Sequence, residues 1–272
     1  MNKKLPEGKI PPETLKNLVF THLGAQNPRI LLGPGIGEDA AVIELEHKVI
    51  VVATDPITGA VEDIGWLSIH VNANDIACHG AKPAWFLSTI LLPENSNEKI
   101  LEKIVTQMDK AAKELEIAII GGHTEVTPGL KRPIVIGFMI GEVEKDKFIT
   151  SSGAMPGDKI ILTKGVAIEG TAILATEREK ELSNILGRDP IEKAKQYKWK
   201  ISVVEDALTA VEIGGVTAMH DPTEGGVLGG LHEIADASKT GFAVQEEKIR
   251  KMISEETRKI CEVLQIDPLC LI

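Results

Sequence analysis

The sequence predicts a mixed α/β (α+β) fold in two domains, and three observations predict it. Runs rich in β-branched residues alternate with helical i, i+3, i+4 stripes along the chain. A length of 272 residues suits two ordinary domains, each with a real core. Small turn residues at 150–158 (TSSGAMPGD) interrupt the pattern, dividing the chain into domains of residues 1–150 and 151–272.

The elements follow in order. Residues 11–23 read as a short helix with Leu15, Leu18, Val19 and Leu23 on one side. Residues 41–45 and 48–53 are two β-rich runs around Glu46 and His47, which predicts a hairpin. Residues 63–79 read as a helix with Ile64, Leu67, Val71 and Cys78 towards the core, and 85–92 as a strand. Residues 97–115 form the clearest helix, striped by Ile100, Leu101, Ile104, Val105, Met108, Ala112 and Leu115. Strands are expected at 117–120, ending at Gly121-Gly122, and at 134–143. In the second half, strands are expected at 159–163, 216–219 and 242–245. Helices are expected at 170–182, over most of 188–213, at 227–238 and at 255–264. The last residues, IDPLCLI, read as a strand cut in mid-element.

The apolar content of 43% excludes a disordered chain, and the net charge of −10 argues against nucleic-acid binding. No run is long and apolar enough to span a membrane, and the first residues lack a signal-peptide core. Cys78, Cys261 and Cys270 are too far apart for a zinc motif or a disulfide framework, so a reducing cytoplasm is expected.

Five segments carry candidate chemistry. GPGIGEDAAVI, at 33–43, joins glycines to Glu38 and Asp39, acids that repel phosphate unless a cation intervenes. A hairpin centred on residues 46–47 brings Asp39 opposite Asp55 at its open end. The pair is either a hard-cation site or two solvated turn residues. In VNANDIACHG, at 71–80, Asn72, Asp75 and His79 share one helical face, either the polar side of a surface helix or a functional face. In IIGGHTEV, at 119–126, the glycines permit close ligand approach, Thr124 can donate to an anion, and His123 is a general-base candidate or a packing residue. In MHDPTEGGVLGG, at 219–230, Asp221 or Thr223 either caps the following helix or joins Gly225 and Gly226 at an anion site. Gly229-Gly230 inside that helix implies close packing or ligand approach.

Taken in order, GEDAAVI, TDPI, NANDIACHGAKP, GGHTEV and DPTEGGV resemble the ATP-binding superfamily of aminoimidazole-ribonucleotide (AIR) synthase. That superfamily also holds hydrogenase-maturation HypE, thiamine-monophosphate kinase and selenophosphate synthetase. The opening LPEGKIPPETL and the segment MHDPTEGG look closest to the HypE branch or to AIR-synthase-related proteins beside it. The resemblance implies an N-terminal sheet domain that dimerises into a barrel-like core, with a C-terminal α/β domain packed against it. It implies ATP and Mg²⁺ as cofactors, with Asp39, Asp55 and Asp75 as metal ligands. Gly121, Gly122, Thr124, Asp221, Thr223, Gly225 and Gly226 would line the nucleotide, with Asp221 and His123 as catalytic candidates.

The activity implied is phosphorylation of an amide or carbamoyl oxygen, as in the carbamoyl dehydration that supplies cyanide to [NiFe] hydrogenases. The partners implied are a second copy of the chain, the carbamoyltransferase HypF, and HypC/HypD. Readings that remain beside it are a small-molecule kinase, an AIR-synthase-like cyclo-ligase and a non-catalytic nucleotide-binding scaffold. Three positions depart from the HypE pattern. Cys270 stands two residues from the end rather than as a terminal cysteine, Glu224 replaces a basic residue, and His123 stands where many relatives carry an acid.

Overall fold

The computed structural model describes residues 11–38 and 40–272. Asp39 and the motif residues 5–10 lie outside the described residues. Among the described residues seven strands build one sheet: β1 (Ile30–Leu32), β2 (Ala40–Leu45), β3 (Lys48–Ala53), β4 (Pro56–Ile57), β5 (Lys82–Leu92), β6 (Ala118–Val126) and β7 (Ile134–Glu144). Their order is β1-β2-β3-β7-β5-β6, with β4 also paired to β7. Only β5 and β6 run parallel; the other pairs are antiparallel. The fold is the mixed α/β class that the sequence predicts.

The expected hairpin forms with its register one residue away from expectation. Ala40 pairs with Ala53 and Leu45 with Lys48, so the loop is only Glu46 and His47. Glu46 takes a left-handed φ of 42°, which closes this two-residue turn. Strand β6 does not stop at Gly121-Gly122 but runs through them to Val126. A Cβ on Gly122 would lie 2.2 Å from the Ser88 carbonyl oxygen, so a glycine lets the parallel ladder to β5 continue there.

After a short α1 (Pro12–Thr14), which runs on as one wide turn over Leu15–Val19, the principal helices are α2 (Ile64–Cys78) and α3 (Glu98–Glu114). The side expected to be apolar over residues 11–23 is exposed at Leu18 and Val19. Helix α3 follows its stripe: Asn97 caps it by accepting from the Ile100 N–H at 3.2 Å, while Ile104 and Met108 are buried. Helix α2 differs from expectation, because all fifteen of its residues are buried. Its polar face is therefore not a solvent face. Two glycines of β7 receive it: Cβ atoms there would come within 2.3 Å of the Asn72 amide at Gly137 and of Ile76 Cγ2 at Gly141.

The second half is helical among its described residues: α4 (Ile168–Glu177), α5 (Glu179–Leu186), α6 (Arg188–Lys195), α7 (Val204–Ile213), α8 (Gly226–Ser238), α9 (Glu246–Arg250) and α10 (Glu255–Leu264). The single helix expected at 170–182 is two, broken at Arg178, whose guanidinium turns onto Glu181. The segments 159–163, 216–219 and 242–245 are not strands, and IDPLCLI closes in a turn. Apolar β-rich composition makes a strand only when a neighbour completes the ladder. Here Ile160 and Ile161 remain exposed.

Residues 196–203 strap the second half to α2. Asn74 Nδ2 donates to the Ile201 carbonyl at 3.1 Å, and its Oδ1 accepts from the Val203 N–H at 2.9 Å. Trp66 and Trp199 meet edge to face at 4.7 Å, and Lys198 pairs with Asp63 at 3.0 Å.

Helices α2 and α3 touch where Gly65 lies against α3, with the site of a Cβ only 2.2 Å from the Ile104 carbonyl oxygen. Gly65→Ala is expected to push the helices apart and to cost about 1–3 kcal/mol, the usual price of overpacking. Urea unfolding checks this as a lower midpoint with an unchanged slope.

Candidate functional site

The glycine-rich segment at 33–38 is a tight turn, not an open phosphate cradle. Gly35 and Glu38 bridge its ends, and Gly37 has a φ of +80°. A Cβ on Gly37 would sit 2.5 Å from the Glu233 carbonyl oxygen, so the turn is pressed against α8. Glu38 points inward, its side chain 6% exposed, with Oε2 3.7 Å from His79 Nε2 and accepting from the Ser151 N–H at 3.2 Å. Burial opposes its ionisation, but the neighbouring His79 imidazole, Ser152 and the Ser151 N–H prevail and hold the carboxyl below the usual range. His79 is oriented by its Nδ1–H, which donates to the Asp75 carbonyl at 2.9 Å. Glu38 thus ties the turn to the end of α2 and to the start of the second half.

Asp55 stands where β3 ends and β4 begins, and its backbone is held from two sides. Its carbonyl accepts from the Gly137 N–H at 2.9 Å and from Asn72 Nδ2 at 3.3 Å, while its N–H donates to Asn72 Oδ1 at 2.9 Å. Asp75 lies one helical turn beyond Asn72, on the same buried face of α2.

A further acid joins the cleft from the second half. Glu169, half-buried in the first turn of α4, has its carboxyl pushed up to about 7, by burial first and then by the charges of Asp221 and Asp55. Asp221, in the loop before α8, and Asp55, between β3 and β4, therefore lie near enough for their charges to act on Glu169 of α4. Glu169 was not among the sequence candidates; the signal available was one acid inside the apolar, glycine-flanked run GVAIEGTAI.

The remaining candidates sit as follows. Gly121, Gly122 and Thr124 are exposed on the edge strand β6, as is His123, whose Nε2 lies 3.0 Å from Glu125 Oε2. Asp221 is buried, and Thr223 accepts the Gly226 N–H at 2.9 Å in a tight turn. Neither Asp221 nor Thr223 caps α8: the cap position is Gly225, left-handed at φ 94°. Gly226 packs on the backbone of Leu269 and Leu271, and the Leu228 N–H donates to the Leu269 carbonyl. The Gly229-Gly230 pair is explained by close packing, since a Cβ on Gly230 would touch Pro222 and His220. Glu224 is exposed at the tip of this loop.

Among the described residues, no three His, Cys, Asp or Glu side chains are grouped to enclose a metal ion by themselves. The donor chemistry nevertheless fits a hard divalent cation. Asp55, Asp221 and Glu169 offer carboxylate oxygens only, and the Glu169 carboxyl is raised by burial first and then by the charges of the other two.

Two family models match the chain: AIR synthase related protein, N-terminal domain, over residues 37–143, and the C-terminal domain over residues 155–271. A hydrogenase expression/formation protein of Methanocaldococcus jannaschii is 32% identical, across 97% of this chain and 77% of its own length. Carbamoyl dehydratase HypE of Cupriavidus necator is 31% identical across 76% of this chain, a match that spans only 56% of that protein. A hydrogenase-maturation HypE solved in complex with ATP superimposes with a TM-score of 0.69 at 25% identity, covering 98% of this chain and 76% of that one. The HypE–HypF complex gives 0.74 at 24% identity, covering 95% and 80%, a likeness of fold.

Because Glu169 keeps its proton to about pH 7 in the folded chain and sheds it near 4.5 when unfolded, its burial lowers stability progressively as pH rises through that window. Glu169→Gln is expected to raise the urea midpoint relative to wild type at pH 8 and to leave it nearly unchanged at pH 4.5. The comparison is made in chelator; an equal difference at both pH values contradicts the assignment.

Proposed function

The chain belongs to the AIR synthase related proteins, and from that premise we propose that it is an ATP- and Mg²⁺-dependent enzyme that phosphorylates an amide or carbamoyl oxygen, as a HypE-like carbamoyl dehydratase of hydrogenase maturation. The observation that carries this reading is that acids from three separate segments, Asp55, Asp221 and Glu169, lie close enough for the first two to act on the charge of the third. An acidic floor of this kind accepts a polyphosphate only through a cation. Asp39, Asp55 and Asp75 are the residues proposed to hold Mg²⁺, which when bound supplies charge neutralisation at the transferred phosphate. Gly121, Gly122 and Thr124 on β6 and Asp221, Thr223, Gly225 and Gly226 before α8 are proposed to flank the nucleotide. Asp221 and His123 are the proton-handling candidates, Asp221 buried in the cleft and His123 at its exposed strand.

In this reading residues 1–150 bind ATP and dimerise, and residues 151–272 close the cleft. A second copy is proposed to cover the sheet face opposite α2 and α3. That face is apolar rather than polar, with Trp85 and Phe138 exposed, and β6 offers a free edge with Ile119, Ile120 and Val126 exposed. An antiparallel-rich sheet that faces water on one side normally alternates to polar residues there. HypF and HypC/HypD are proposed as maturation partners, in the cytoplasm; the HypE–HypF complex supports the first by similarity of fold.

The chain is expected to release phosphate from ATP with Mg²⁺, and Asp55→Ala to lower that rate on the order of 100-fold or more. Phosphorus-31 NMR reads the outcome: phosphate transferred to a lasting acceptor instead of released indicates a kinase. Ile120→Glu is expected to convert a dimer to a monomer by light scattering, and an unchanged mass excludes β6 from the interface.

A further inference from the structure

We propose that Asn72 is a positioning residue for the cation and phosphate site, holding Asp55 at a fixed spacing from Asp75, and that Gly137 is the seat that lets it do so. The inference rests on the proposed function, since Asp55 and Asp75 matter together only if they share a cation.

Asp55 lies between the last residue of β3, Ala53, and the first of β4, Pro56, outside both strands. The Asn72 side chain takes that donor at 2.9 Å and returns a second bond, at 3.3 Å, to the carbonyl of the same residue. The amide is itself held, because Nδ2 also donates to the Ser68 carbonyl at 2.9 Å inside α2. It is wholly inaccessible to solvent. Replacing it with an apolar side chain would leave the Asp55 N–H without that partner, and buried amide donors rarely stay unpaired.

The amide reaches Asp55 only because β7 has no side chain beneath it. A Cβ on Gly137 would lie 2.3 Å from Nδ2, 2.6 Å from Cγ and 2.9 Å from Oδ1. Thr54 Oγ1 donates to the Gly137 carbonyl at 2.6 Å, closing the arrangement around the turn. Asp75 is joined covalently to the same helix, one turn on. A single rigid helix therefore sets the distance between the two acids: Asp75 through its own Cα, Asp55 through the Asn72 amide. Neither Asn72 nor Gly137 needs to touch the cation.

Mn²⁺ titration by electron paramagnetic resonance on the nucleotide-free full chain tests this without relying on turnover. Asn72→Ala is expected to weaken Mn²⁺ binding roughly 10- to 100-fold, the usual scale for residues that orient a ligand. In parallel, the KM for Mg-ATP should rise more than kcat falls. Gly137→Ala is expected to act in the same direction by displacing the amide. Added to Asn72→Ala it should cost less than about twofold more, because no amide remains to displace. The double variant also partly refills the space and keeps the test available if a single variant folds poorly. Gln107→Ala is the structural control. Gln107 accepts the Gly65 N–H at 3.1 Å and donates to the Glu62 carbonyl at the other end of α2, so its loss should lower the unfolding midpoint and leave Mn²⁺ affinity unchanged. The inference is overturned if Asn72→Ala binds Mn²⁺ like wild type, if the two single losses simply add, or if Gln107→Ala weakens binding equally. A wild-type chain that binds no Mn²⁺ overturns the cation reading itself, and this inference with it.

Discussion

The rest of the structure depends on one constraint, the complete burial of α2. A helix with no solvent face ordinarily carries apolar residues all round. This one carries Ser68, His70, Asn72, Asn74, Asp75 and His79 as well. Leaving a buried donor or acceptor unmet costs about 1–3 kcal/mol, and three of these side chains, Asn72, Asn74 and His79, reach neighbouring chain segments. Asn72 takes the turn between β3 and β4, Asn74 takes the strap at 201–203, and His79 faces Glu38 in the glycine turn. The sheet, the second half and the glycine turn are thereby referenced to the same helix. Stability and site geometry are consequently two readings of one set of hydrogen bonds.

Burial also explains where sequence reasoning succeeded and where it stopped. Helix α3 was legible because one face meets water, which leaves a stripe in the pattern and an Asn at its cap. The hairpin is legible from its β-branched runs and its Glu46–His47 loop, and its observed pairing differs by one residue from the expected Asp39–Asp55 alignment. The helical character of α2 was readable, but a polar face looks the same whether it meets water or buried partners. Only the neutral asparagines, in a chain whose exposed faces favour Lys and Glu, hinted at the difference. The glycines inside the otherwise β-branched β7 are a sequence sign of close backbone approach. Glu169 gave no spacing signal, because its partners Asp55 and Asp221 are distant in sequence and come together only in the fold. In the second half, apolar runs were read as strands although strand formation depends on neighbours that local composition does not reveal.

The cleft concentrates negative charge in a chain that is already acidic, at −10 overall. Such an arrangement repels free anions at long range and admits them once neutralised. The first turn of α4 normally favours an acid through the helix dipole, yet Glu169 is still pushed towards its neutral form. Burial first, and then the charges of Asp221 and Asp55, outweigh the dipole at that position.

The strap joining the halves also places the aromatic residues unevenly. Trp66 and Trp199 stand edge to face with the Lys110 ammonium 4.7 Å from the Trp199 ring and 5.7 Å from the Trp66 ring, and His70 stacks on Trp66 at 4.3 Å. The third tryptophan, Trp85, lies apart on the open face of the sheet. The protein therefore carries a built-in optical gauge. Ultraviolet emission from the paired indoles senses whether the halves are joined, and Trp85 senses the sheet surface. Rotation of one half against the other alters the first signal while the second stays steady.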